Sequence, residues 1–364
     1  MGITRRLTRR VNIGDLLLGD NAPVLIQSMT NTNTADYTST RNQIQKLMAA
    51  GCHLVRLAVP GMDSVETFGR LARDLKLPLV ADIHFDFRLA LAVLDQGAAK
   101  VRINPGNIGG QERLLKVINR AGELGAAVRL GVNSGSLPAD ILTKHQGPSA
   151  DALVESALRY AEIIQDAGFD NLVVSLKSSD VLRTIEAYRR FSSLSNLPLH
   201  LGVTEAGTKG LGTIRSAVGI GTLLAEGIGD TIRVSLTADP VEEIPVAREI
   251  LSCLGMLNSN LRLISCPTCS RTSADLIAIT AMVEQELADL VACPIHVAIM
   301  GCPVNGPGEA READIGIALA GGKAVFFQNG LPERTMQVDD AVRELLRRAR
   351  ELCAVRSDHG GGGS

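Results

Sequence analysis

Three cysteines are placed where they could do chemistry together. Cys266-Pro267-Thr268-Cys269 sets two thiols on one short turn, and Cys302 follows 33 residues after Cys269, inside Gly301-Cys302-Pro303-Val304-Asn305-Gly306-Pro307-Gly308-Glu309. Thiolates are soft ligands that suit iron–sulfur clusters and zinc. Zinc with a fourth ligand from Glu or His is one reading. A thioredoxin-like redox pair is another, but it leaves Cys302 and its glycine–proline setting without a role. The Cys-x-x-Cys pair with a distant Cys-Pro fits an iron–sulfur cluster better than either. The small residues around Cys302 would keep a metal centre accessible, and Glu309 lies close enough in sequence to fold back onto it. A carboxylate is a harder ligand than a thiolate and can yield to a substrate oxygen.

A second set is basic. Arg56, Arg102, Arg129, Lys177 and Arg233 each interrupt a short apolar run of strand type. A lone cation inside such a run is costly unless it is paired or wetted. One reading is a structural ion-pair set with Asp82, Glu205 and Asp230. The other is a polyanion site, most simply for a diphosphate, because guanidinium groups match phosphate oxygens bidentately. Asn104 and Asn133 add neutral donors. The stretch Asn104-Pro105-Gly106-Asn107-Ile108-Gly109-Gly110 opens onto a helix N-terminus but lacks the Walker lysine and the dinucleotide fingerprint. In Ala81-Asp82-Ile83-His84-Phe85-Asp86 the polar residues fit a pocket wall, with a divalent-metal site as the lesser alternative. Glu205 is the candidate proton-handling carboxylate.

Positioning these residues requires a repeated strand–helix rhythm. Apolar runs at 24–28, 54–58, 79–82, 99–104, 127–133, 172–177, 199–205 and 231–235 alternate with helical periodicity at 38–50, 63–75, 86–96, 111–123, 150–167, 179–193 and 212–225. Eight such units predict a closed (β/α)8 TIM barrel, with the polar residues at the C-terminal strand ends where such barrels carry their sites. An open doubly wound sheet is the alternative. After residue 257 the rhythm changes. The spacing predicts a TIM barrel over 1–257, a smaller α/β domain carrying the thiolates over 258–356, and a disordered tail or linker over 357–364. The final helix is expected over 338–355.

Composition narrows the classes. The chain has 364 residues, 45% of them apolar and only 3% aromatic, with a net charge of -2, which supports a buried aliphatic core and argues against nucleic-acid binding. No apolar run reaches membrane-spanning length, and the basic start, Arg5-Arg6-Leu7-Thr8-Arg9-Arg10, lacks the apolar run of a signal peptide. A soluble, cytoplasmic protein is expected. Disulfides are not expected there, and Cys52, Cys253, Cys293 and Cys353 are read as buried or partly buried small hydrophobes.

The combined motifs resemble the 4-hydroxy-3-methylbut-2-enyl diphosphate synthase family of the non-mevalonate isoprenoid pathway, in its shorter bacterial form, over about residues 5–355. The likeness rests on Ile26-Gln27-Ser28-Met29-Thr30-Asn31-Thr32, Ala81-Asp82-Ile83-His84-Phe85, Val101-Arg102-Ile103-Asn104-Pro105-Gly106-Asn107-Ile108-Gly109, Cys266-Pro267-Thr268-Cys269-Ser270-Arg271-Thr272 and the 301–309 run. The resemblance implies reductive ring opening and dehydration of 2-C-methyl-D-erythritol 2,4-cyclodiphosphate. It implies one [4Fe–4S] cluster per subunit, held by Cys266, Cys269, Cys302 and Glu309, and electrons delivered singly by flavodoxin or ferredoxin. It further implies a homodimer with shared sites. Arg56, Arg102, Arg129 and Lys177 would clamp the diphosphate, with His84, Asn133 and Ser235 assisting, and Glu205 and Glu309 would be catalytic. A pteridine-binding-type barrel with a structural zinc domain is the alternative.

Overall fold

The computed structural model describes the chain except residues 1, 76, 258–260, 273, 291–292, 303–311 and 360–364, and except the side chains of 357–359. Glu309 therefore lies outside the described residues. The chain divides into two compact units, Met1–Met256 and Leu257–Ser364.

The first unit opens with a hairpin of β1 (Val11–Ile13) and β2 (Leu16–Leu18) that the apolar pattern does not announce. Eight strands follow: β3 (Leu25–Met29), β4 (Leu54–Ala58), β5 (Leu79–Ile83), β6 (Lys100–Ile103), β7 (Ala127–Asn133), β8 (Leu172–Lys177), β9 (His200–Leu201) and β10 (Thr231–Ile232). They pair in parallel in the order β8-β7-β6-β5-β4-β3-β10-β9. Val174 N donates to Pro198 O at 2.9 Å and Val174 bridges Leu199, which joins the two ends into a barrel. The last two strands are shorter than their apolar runs suggest, because their ladder pairing ends at Leu201 and Ile232, and Thr204, Arg233 and Ser235 beyond them line the mouth.

Local signals set the outer helices. Asp36 caps the helix Tyr37–Ala49 by accepting from Ser39 N, and Gly51 beyond its end takes φ 98°, a conformation glycine adopts without a Cβ clash. Asp180 caps Val181–Leu194 in the same way through Arg183 N. The basic start of the chain is tied down rather than free. Arg6 donates to the carbonyls of Ser192, Ser195 and Leu197, and Arg5 pairs with Asp230 at 3.1 Å. Asp230 thus serves the N-terminal segment and not the basic strand residues.

Val11, Ile13 and Leu18 are fully buried against the inward-facing Leu25, Leu54, Val80, Ala127 and Val173. The hairpin closes the N-terminal end of the barrel with an apolar plug. Truncating Ile13 to Ala should cost about 2–4 kcal/mol of stability by opening a cavity there, measured as a lower urea midpoint with an unchanged slope. Among the described residues no helix is long and apolar enough to cross a membrane.

The second unit is a five-stranded sheet in the order β11 (Arg262–Ser265), β12 (His296–Met300), β13 (Ile315–Ala320), β14 (Lys323–Gln328), β15 (Leu331–Gln337). The first three strands are parallel and the last two antiparallel. Helices Leu276–Glu286 and Val338–His359 pack on one face over Val297, Ile299, Ile315, Ile317 and Phe326. The last helix runs past its expected end at 355 through His359, so the expected tail begins no earlier than residue 360.

The absence of disulfides was the wrong expectation. Cys293 and Cys353 form one, with Cα atoms 5.8 Å apart across a sequence separation of 60. Packing of the last helix on the sheet core brings the two together, and neither residue's local sequence reports that contact. Cys52 is buried as expected, and burial pushes its thiol up to about 12. Cys253 is exposed, against expectation.

Candidate active site

At the open end of the barrel the basic residues converge. Strand register alone aligns several of them: Asp82 on β5 is the Cα partner of Arg102 on β6, and Arg102 is the partner of Arg129 on β7. Asn133 on β7 partners Lys177 on β8. Side chains at paired positions share a face, so all of these point into the barrel. They line a cavity of about 200 Å³ with Arg56, His84, Arg233 and Ser235. A contiguous outer hollow of about 500 Å³ shares His84, Arg102, Asn133 and Thr204, and adds Asn104 and Glu205.

Room for the cations comes from glycine neighbours. A Cβ on Gly131 would lie 2.7 Å from Arg102 Nε, and one on Gly202 would lie 2.8 Å from Lys177 Nζ. Both glycines sit on the inward face beside a cation of an adjoining strand, so any side chain there would displace it.

Two carboxylates oppose the cations. Asp82 lies 3.3 Å from Arg102, 3.9 Å from Arg56 and 3.0 Å from His84 Nε2. Glu243, buried on the helix after β10, lies 3.3 Å from Arg233 and accepts from Ser28 Oγ at 2.8 Å. Sequence reasoning missed Glu243, Ser28, Ser175 and Thr204. Glu243 carries no local signal, since one acid near a helix start reads as an ordinary dipole partner.

Burial pushes the Asp82 carboxyl up, but Arg56, the His84 hydrogen bond, Arg102 and Arg129 outweigh it and hold the group well below the usual carboxylate range. Its pKa is thus lower folded than unfolded. The stability it contributes is fully present above the unfolded value of about 3.9 and is lost as pH falls below that value. Urea midpoints followed downward from about pH 5 should drop steeply in the wild type, and Asp82→Asn, less stable at neutral pH, should show a shallower further loss.

Arg129 is the most exposed to electrostatic stress. It is 1% solvent-exposed, and its Nε and Nη1 have no hydrogen-bond partner. Burial and then Arg56 and Arg102 push its pKa down, with Asp82 opposing. Burial likewise pushes Arg56 down to about 10, against the pull of Asp82. Both guanidiniums keep their protons at neutral pH. Such an arrangement can receive anionic oxygens.

The remaining polar residues differ in their commitments. His84 is half-exposed at the mouth. The Asn104 amide donates to Ser136 Oγ at 2.7 Å and its carbonyl accepts from Gly106 N, so it organises its own loop and is not the free donor expected. Asp86 caps the next helix through Arg88 N and pairs with Arg88, away from Asp82 and His84. Glu205 is exposed at the rim with φ 53°, a left-handed conformation uncommon for a side chain of its size. That turn carries the carboxylate over the outer hollow.

In the second unit, Cys266 directly follows β11 and Cys302 closely follows β12, at the same end of two paired parallel strands. Gly301 N donates to Cys266 Sγ at 3.1 Å. Cys266, Cys269 and Cys302 are all free thiols, whereas Cys293 and Cys353 are consumed by their disulfide. Cys269 lies exposed three residues beyond Cys266, and a backbone hydrogen bond from Arg271 leads the effects that lower its pKa. Among the described residues, no three Cys, His, Asp or Glu stand as a gathered metal-binding group. The donor chemistry nonetheless fits a thiolate-held centre: free sulfurs at neighbouring strand ends, with a backbone N–H on one of them.

The fold and site define a class, a (β/α)8 barrel with a cation-lined mouth, followed by a cysteine-bearing α/β domain. The chain belongs to the GcpE family: the GcpE TIM-barrel domain matches residues 8–248 and the GcpE protein C-terminal domain matches residues 262–351. It is 53% identical over 340 residues to 4-hydroxy-3-methylbut-2-en-1-yl diphosphate synthase (flavodoxin) of Clostridium acetobutylicum, covering 93% of this chain and 97% of that protein. It is 49% identical over 357 residues to the protein of the same name from Anoxybacillus flavithermus, covering 97% and 98%. Among solved structures, dihydropteroate synthase of Yersinia pestis aligns at a TM-score of 0.49 and 15% identity over 68% of this chain and 97% of that one.

Proposed function

We propose that this chain is a 4-hydroxy-3-methylbut-2-en-1-yl diphosphate synthase that takes its electrons from flavodoxin, as the names of its relatives state for those proteins. Its substrate is 2-C-methyl-D-erythritol 2,4-cyclodiphosphate, which it opens and dehydrates by a two-electron reduction. The observation that carries this reading is the buried Arg129 guanidinium with two unpartnered nitrogens, in a cavity whose four arginines are met by two carboxylates among the described residues, Asp82 and Glu243.

Arg56, Arg102, Arg129 and Lys177 hold the diphosphate, and His84, Asn133 and Ser235 complete the wall. Breaking the ring carbon–oxygen bond to phosphate leaves one more anionic oxygen than the ring had. Fixed guanidiniums placed before the reaction stabilise that charge as it develops. Glu205 at the rim supplies the proton with which the departing hydroxyl leaves as water. Cys266, Cys269, Cys302 and Glu309 are the residues that would hold a [4Fe–4S] cluster, which when bound would supply one-electron chemistry for the two-electron reduction. The family resemblance supports this ligand set, a homodimer with shared sites and a cytoplasmic location.

The test is anaerobic turnover of the cyclic diphosphate with reduced flavodoxin and reduced ferredoxin side by side. Product formed with flavodoxin is expected; none with either donor, in protein that carries four irons per chain, would refute the reading. Glu205→Gln should leave the affinity for the cyclic diphosphate within about threefold while lowering turnover about 10²-fold or more, the size of a lost acid–base contribution.

A further inference from the structure

Lys177 has no counter-ion among the described residues. It is 8% exposed, lines the inner cavity, and makes no ion pair among the described residues. The charged groups around it are Arg129 on β7, Arg102 on β6, Arg56 on β4 and Arg233 just beyond β10, with the buried His200 on β9. The two carboxylates paired with these cations are already committed, Asp82 to Arg56, Arg102 and His84, and Glu243 to Arg233 and Ser28, while Glu205 is exposed at the rim of the outer hollow. Among the described residues, four arginines against two carboxylates leave the inner cavity with two excess positive charges before Lys177 is counted. One group must give way, and it is the amine, because a guanidinium does not lose its proton in proteins.

We propose that Lys177 stands as a neutral amine in the free protein and takes up a proton as the diphosphate binds, so that substrate binding is itself a proton-uptake step. This deepens the proposed function and rests on it. Burial is the larger of the influences that push the Lys177 pKa well below its ordinary value, and the four arginines add to it in the same direction. A bound dianion cancels the two excess charges and places anionic acceptor oxygens beside Nζ, which removes the repulsion and outweighs the cost of burial. The proton comes from buffer and no other bond changes: amine plus H⁺ gives ammonium. Ring opening then adds a third negative charge to the bound diphosphate, and the newly charged Lys177 matches it.

Lys100 provides an internal contrast. It is also buried, its Nζ has no partner, and burial with Arg129 and Arg56 lowers its pKa, but it does not line the cavity. It should stay neutral throughout.

The experiment is calorimetric titration of the cluster-loaded protein with the cyclic diphosphate, without reductant so that nothing turns over. Two buffers of widely different ionisation enthalpy, HEPES and Tris, are compared at about pH 8, above the range in which histidine ordinarily titrates. Both phosphates of the ligand are singly ionised across this range, so any proton taken up goes to the protein. The expected result is uptake of close to one proton per ligand bound, and an affinity that falls up to about tenfold per pH unit on the alkaline side. Lys177→Met should bind more weakly with no buffer dependence. Lys100→Met should keep the uptake. Tight binding with no buffer dependence in the wild type would overturn the proposal, as would uptake retained in Lys177→Met or lost in Lys100→Met. If Lys177→Met does not bind at all, the wild-type uptake and its persistence in Lys100→Met still decide. A wild-type protein that does not bind the ligand would remove the diphosphate reading itself, and this inference with it.

Discussion

Replacing Cys302 by serine abolishes iron loading and lowers turnover by about 10³-fold or more, if the proposed ligand set is right. A serine hydroxyl remains protonated at neutral pH and is a hard donor, so it does not substitute for a thiolate on iron. Cys302 is 8% exposed and close behind β12, beside Gly301 whose amide reaches Cys266 Sγ. The loss should therefore be of the centre and not of the sheet, which stands on Val297, Ile299, Ile317 and the last helix. Iron and sulfide content of anaerobically purified protein, with the visible spectrum, measures this. Affinity for the cyclic diphosphate should stay within a few-fold, because the basic cavity lies in the other unit. Cys353→Ser is the control: it breaks the disulfide but should leave iron content unchanged. Full iron content in Cys302→Ser, or stoichiometric zinc in the wild type, would contradict the ligand assignment.

The second large effect has two opposite signs. Arg129→Met should weaken binding of the cyclic diphosphate by about 10²-fold or more, as expected when one side of a buried charged contact is truncated. The same change should stabilise the free protein by about 1–3 kcal/mol, because it replaces an unpaired buried guanidinium with an apolar side chain of similar length. Arg129 has two nitrogens without partners, and Arg56 and Arg102 repel it. A residue kept only for structure would show the reverse, a lower melting temperature with little change in affinity. Calorimetry and thermal unfolding on the same preparations separate the two.

Much of the site was legible because its chemistry is written one residue at a time. A cation inside an aliphatic strand run is anomalous wherever it occurs, and period-two alternation places it inward or outward without further information. Arg56, Arg102, Arg129 and Lys177 could thus be assigned to one mouth once eight strand–helix units were counted, and the parallel register puts them there. The Cys-x-x-Cys turn and the distant Cys302 were legible for the same reason, each following an apolar run that forms a strand.

Other features are relations between distant segments and leave no local mark. The hairpin plug is two three-residue strands with Asp15 in their turn, apolar only in relation to a barrel end that must be sealed. Glu243 becomes the counter-ion of Arg233 only because its helix returns beneath the β10 end. Cys293 and Cys353 meet through the packing of the last helix, and either alone reads as a small buried hydrophobe. Asn104 carries the right group for a ligand but spends it on Ser136.

By itself, then, the sequence determined the barrel count, the ring of cations and the place of the three cysteines at strand ends, since strand period and residue type are local properties. Only the tertiary structure decided how charge is balanced. Among the described residues, which arginine finds a carboxylate, which guanidinium is left unpaired and which lysine has no counter-ion depend on distances across the barrel interior, and electrostatic energy there is set by those distances and by burial rather than by composition.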